Sequence, residues 1–232
     1  MVSKSVFSSV AAGLLATTGL LADVASIQYS LVYSGDSKPM GEPPWLTARF
    51  EDVKGDLGES VRVTLDVTGL VNREFVSSFY FNLRETIDPG SVRISDVVAR
   101  NFNGEPEFQL DDQDDQNAGG GYRFDLEVDL PTSRGERAED GSQVSFVLQR
   151  EGGIGIYDLL VTTLSSGKDE SLSVAHIQAL ADGSSVWVTS GSRFSLEPGS
   201  AVPEPATTGA MAVLGGLLAW SQMRRRTSAP VA

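Results

Sequence analysis

VRVTLDVT, Val61 to Thr68, decides how the rest of the chain is read. Val61, Val63, Leu65 and Val67 alternate with Arg62, Thr64, Asp66 and Thr68. A period of two puts the four apolar side chains on one face of an extended strand and the polar ones on the other. The same alternation returns at Phe124, Leu126, Val128 and Leu130, set between Arg123, Asp125, Glu127 and Asp129, and again at Val144, Phe146 and Leu148. Phe79, Phe81 and Leu83, the run Ile154–Leu164, and Val186 with Val188 read as further strands. Between them stand turn-forming runs: Lys54–Glu59, Asp88–Gly90, Asn103–Pro106, Ala118–Gly121, Glu139–Gly141 and Ala181–Ser185. Ser171–Leu180 is the one stretch that could form a short helix. Many short strands, each with one polar face, predict an all-β fold, an antiparallel β-sandwich or jelly roll over residues 27–198. Parallel strands would read as continuous apolar runs, and these do not.

The chain has 232 residues and a net charge of −13. Lys4 and Arg224–Arg226 lie in end segments of a different character, so the body between them is more acidic still. Phosphate binding needs a basic face, which excludes nucleic acid as an expected partner. Cysteine is absent, which excludes a disulfide scaffold, a thiol enzyme and a thiolate zinc site. The single histidine, His176, excludes two-histidine metal motifs. It is also the sole candidate base for a serine hydrolase. No G-x-S-x-G elbow accompanies it, and a structural histidine at a strand end is the expectation.

The two ends read as an address. Residues 1–26 combine Lys4 with the small and apolar run VFSSVAAGLLATTGLLA, the layout of a secretory leader. Val24-Ala25-Ser26 offers small residues for a cut after Ser26, whereas a cut after Ala22 puts Leu20 at the third position back. At the other end, residues 199–205 form a proline-punctuated linker. Residues 206–223 carry no charge and are just long enough for a membrane helix. The basic tail, 224–232, opens on Arg224, Arg225 and Arg226, which predicts that this end stays cytoplasmic while the body is exported.

Pro203, Glu204 and Pro205, followed by a small-residue apolar helix and the Arg224–Arg226 cluster, resemble the PEP-CTERM sorting signal of exported bacterial proteins. The resemblance covers about 25 residues. It implies handling by an exosortase that cuts near the Pro-Glu-Pro triplet, an inner-membrane-anchored precursor, and a final place at the cell surface or in the extracellular matrix. The body is also similar to an uncharacterised β-rich ectodomain that precedes such signals. The matching segments are WLTARFEDV, EFVSSFYFNL, GYRFDLEVDLP and VAHIQALADGSSVWV. That likeness implies a fold and an address, and no chemistry.

Two places in the body invite a ligand. DDQDDQNAGGG, Asp111 to Gly121, gathers Asp111, Asp112, Asp114, Asp115 and Asn117, the hard oxygen donors calcium prefers. Gln113 and Gln116 break the EF-hand spacing, so a solvated acidic loop is the simpler expectation and calcium the sharper one. No other cofactor is expected. Aromatic side chains could form a sugar-stacking platform, with Trp45 and Trp187 nominated first and Tyr80, Tyr122 and Tyr157 beside them. The expectation is therefore a non-enzymatic exported surface or matrix protein with polysaccharide or calcium as its ligand. The alternative is a secreted polysaccharide hydrolase, its two carboxyl groups not singled out by sequence.

Overall fold

The structure is a computed structural model describing residues 23–111, 116–119, 122–163 and 170–197. The sorting motif, residues 206–223, the basic tail and residues 1–22 lie outside the described residues. Among the described residues no helix is long and apolar enough to cross a membrane.

VRVTLDVT lies in the strand the alternation predicts, β4 (Gly58–Val67), which follows β1 (Val24–Tyr29), β2 (Leu31–Ser34) and β3 (Leu46–Gly55). β3 and β4 form a long hairpin closed by Asp56-Leu57, with Gly55 opposite Gly58. Gly58 sits at φ +113°, a conformation glycine takes without a Cβ clash. Next come β5 (Phe75–Phe81), β6 (Arg93–Arg100), β7 (Glu107–Leu110), β8 (Gln116–Ala118), β9 (Tyr122–Phe124) and β10 (Leu126–Asp129). The series ends with β11 (Gln143–Gln149), β12 (Ser173–Gln178), β13 (Val186–Thr189) and β14 (Ser195–Glu197).

The strands pair antiparallel into two six-stranded sheets. Sheet A runs β14-β1-β3-β4-β11-β6 and sheet B runs β2-β13-β12-β5-β10-β7, with β8 and β9 forming a separate two-stranded hairpin. The sheets face each other across one apolar core. Its rings cross the gap in three places: Tyr29 meets Phe79 at 5.7 Å, Phe50 meets Phe81 at 5.8 Å, and Phe108 meets Phe146 at 4.9 Å. All three are angled edge contacts of the kind aromatic quadrupoles favour. The chain passes between sheets in matched pairs. β1 and β2 are partnered by β14 and β13, and β6 and β7 by β11 and β10.

Four local readings change. The described part of the Ile154–Leu164 run, residues 154–163, is not a strand: Ile156–Asp158 form a 3₁₀ turn. The Asp158 carboxylate accepts from the Gly155 N–H, and Asp52 Oδ1 accepts from the Ile156 N–H, so these amides are bonded away from any ladder. Ser173–Gln178, inside the stretch that allowed a helix, is β12, held between β5 and β13. The Phe124–Leu130 run breaks at Asp125, whose Oδ2 accepts from the Leu83 N–H at 2.7 Å. Leu126 and Val128 then face the main core, while Phe124 packs in a second cluster on the outer face of sheet B. Finally, β1 begins at Val24, within the segment the leader was expected to occupy.

Candidate functional site

The acidic loop follows β7, and its donors are only in part described. The Asp111 N–H donates to the Asp125 carbonyl at 2.9 Å, and Asn117 pairs through its backbone with Arg123 in the β8–β9 hairpin. Asp112, Asp114 and Asp115 lie outside the described residues. Among the described residues, no group of three or more His, Asp or Glu side chains is placed to hold a metal ion.

The two tryptophans nominated for stacking do not share a face. Trp45 is buried in the main core just before β3, and its Nε1–H donates to the Gly41 carbonyl at 2.7 Å. It offers no ring face to a ligand. Trp187, half-buried on β13, belongs to the outer face of sheet B. Tyr80, Tyr122 and Phe124 are buried there with Ala118 and Val174, and Tyr33 and Trp187 pack against them. This cluster fastens the β8–β9 hairpin to the sheet. The Tyr33 hydroxyl donates to the Ala118 and Gly119 carbonyls, at 2.6 and 2.5 Å. A Cβ on Gly119 would come within 2.1 Å of the Trp187 indole nitrogen, so only glycine lets the hairpin lie so close. Of the rings named from sequence, Tyr157 is the exposed one.

His176 stacks on Trp187, ring centroids 4.3 Å apart and nearly parallel. Its Nδ1 lies 3.0 Å from Ser77 Oγ: His176 pairs with Ser78 and Ile177 with Val76, and the register shift between them leaves Ser77 as the extra residue beside the imidazole. This Ser–His proximity was not visible from spacing. Burial pushes the imidazole pKa below its ordinary value, and no carboxylate acts against that shift. Among the described residues its Nδ1 faces Ser77 Oγ and the Gln178 amide nitrogen, at 3.0 and 3.5 Å, and no acidic side chain is hydrogen-bonded to the ring.

Beside it, Glu127 and Asp129 project from β10 on the same face. Burial raises the Glu127 pKa, and the adjoining Asp129 carboxyl raises it further. The Tyr80 hydroxyl donates to Glu127 in a very short hydrogen bond, and Gln109 Nε2 donates to Asp129 at 3.2 Å.

A groove of about 430 Å³ lies elsewhere, between β1 and β14 of sheet A and the start of β2. Ser26, Ser30, Ser190 and Ser195 line it, with Gln28 and Arg193. Leu31 and Phe194 complete the wall, exposed by 56% and 42%. Ser26 and Ser195 hydroxyls bond each other at 2.7 Å across the β1–β14 pair. Arg193 has no ion-pair partner among the described residues. The groove thus combines an accessible ring, neutral donors and acceptors, and one cation. None of its residues was singled out in the sequence as a ligand-binding residue, since isolated serines carry no periodic signal.

No protein-family model matches the chain, and neither a curated protein nor a solved structure shows significant similarity to it.

Proposed function

We propose that the protein is an exported, non-enzymatic cell-surface or matrix protein that binds a neutral saccharide chain in the groove between β1, β14 and β2. The observation that carries this reading is the lining of that groove. Hydroxyl, amide and guanidinium groups suit the hydroxyls of a sugar, and the Phe194 ring suits its C–H face. The negative charge of the whole chain opposes a polyanionic polymer, and a single arginine does not reverse that field. A neutral or sparsely charged saccharide is therefore the favoured class.

The address comes from the chain ends. The leader, the Pro203-Glu204-Pro205 triplet, the apolar span 206–223 and Arg224–Arg226 support export, a membrane-held precursor and release or display through an exosortase. The matched crossings of β1–β2 with β13–β14, and of β6–β7 with β10–β11, support a jelly-roll sandwich for the body. Fractionating cells with and without the exosortase, and weighing the mature C-terminus, tests the address. An unchanged full-length tail in both strains refutes it. Titrating neutral hexose tri- to hexasaccharides into the protein tests the groove, with a polyuronate as the contrasting ligand.

A further inference from the structure

We infer that the leader peptidase cuts the Ala22–Asp23 bond, so that the mature chain begins at Asp23. The inference rests on the leader reading of the N-terminus and adds the bond at which the leader ends. Two junctions compete: after Ser26, with small residues leading up to the cut, and after Ala22, a small residue with Leu20 at the third position back. The structure separates them. Val24 is 5% exposed and Ala25 fully buried, and Ala25 belongs to the main core. Val24, Ala25 and Ser26 pair with Glu51, Phe50 and Arg49 of β3. The same three residues supply every rung of β14, opposite Glu197, Leu196 and Ser195. A cut after Ser26 would remove half of β1, strip β14 of its only neighbour in the sheet among the described residues, and delete Ser26 from the groove lining.

A second observation ties Asp23 to the folded body. The Asp23 carbonyl accepts from the Asp52 N–H at 3.1 Å, which fixes the start of the chain beside that residue. The Asp52 carboxyl lies in a field of like charge from Asp23, Glu59 and Asp158, and burial with that field raises its pKa. Arg84, 3.3 Å from Asp158, is the basic side chain ion-paired to this group among the described residues. Hydrolysis consumes one water, breaks the Ala22 C–N bond, and leaves a carboxylate on the leader and an α-amine on Asp23. Protonated at neutral pH, that amine brings a positive charge to a crowd of carboxylates, where an uncut amide brings none.

The test is the N-terminal sequence and intact mass of the protein secreted from the full precursor in an exporting bacterial host. The expected first residue is Asp23. A first residue at Val24 or later, or upstream of Asp23, overturns the assigned bond while leaving the leader reading in place. Retention of Met1 in exported protein overturns the leader reading and the inference with it. The full precursor lacking Asp23–Ser26 gives a second measurement. Its secreted product is expected to melt at least about 5 °C lower than the parent, or to be lost to proteolysis. Equal melting temperatures contradict a structural need for these residues.

Discussion

On one flank of the stacked sheets the edge strands are β14 and β2; on the other they are β6 and β7. Both flanks expose unpaired backbone, which invites pairing with another chain. β6 is guarded: Arg93, Asp96 and Arg100 are exposed along it, and a register shift opposite β11, with Asp96 at φ +50°, bends it out of line. Its exposed Val97 and Val98 lie between those charges. The β14–β2 flank carries Leu31, Val32, Phe194 and Leu196 at the surface, with Arg193 and Glu197 as its charges, and there the sheets frame a groove. The difference teaches that one flank is shaped to stay solitary and the other to receive something.

That contrast depends first on β1, since among the described residues β14 pairs with no other strand. Ala25→Asp would place a carboxylate in the main core, at an expected cost of more than about 3 kcal/mol in urea unfolding. Ala99→Asp on exposed β6 is expected to change stability by less than about 0.5 kcal/mol. Similar costs at both positions would break the comparison. The open flank is next tied to the hairpin through β2. Tyr33→Phe removes the hydroxyl that donates to Ala118 and Gly119, with an expected loss of roughly 1–2 kcal/mol. Hydrogen exchange should report it first in β8–β9 and β2 and leave β4 and β11 protected.

A smaller effect concerns the face beside β7. The folded Glu127 pKa lies above its unfolded value, so the folded state holds more protons in the window between the two. Stability contributed by this group is present below the unfolded value, falls as pH rises through the window, and stays lost above it. Glu127→Gln keeps an acceptor for Tyr80 without the buried charge. The variant is expected to melt about 1–2 °C above the parent at pH 8, with the gap closing near pH 4, as followed by thermal melts across pH. His176 has the opposite sign, losing stability as pH falls below its unfolded value. Smallest of all, Leu196→Lys and Val98→Lys should each leave stability within about 0.5 kcal/mol. Leu196→Lys alone should reduce self-association in sedimentation if the open flank is the adhesive one.

The main core was largely legible. Val61, Val63, Leu65 and Val67 lie on one buried face of β4, as their period of two demands. The failures have physical causes. The alternation through Phe124 and Leu126 implied one shared face, but a side-chain bond at Asp125 sends the two rows to opposite sides of sheet B. β5 is buried at all seven positions because the hairpin and its neighbours cover its outer face, a long-range event that no local pattern encodes. Trp45 and Trp187 looked equivalent in the sequence, yet one fills the core and the other seats a hairpin. The groove was invisible, because it joins Ser26 to Ser195 across 169 positions of chain.

Isothermal titration of the protein with a neutral hexose hexasaccharide, alongside Phe194→Ala and Glu127→Gln, tests the central claim most directly. The account predicts saturable binding that weakens tenfold or more in Phe194→Ala, about 1.4 kcal/mol, and is unchanged in Glu127→Gln. Equal affinity in the parent and Phe194→Ala, no saccharide heat at all, or a loss confined to Glu127→Gln would contradict it.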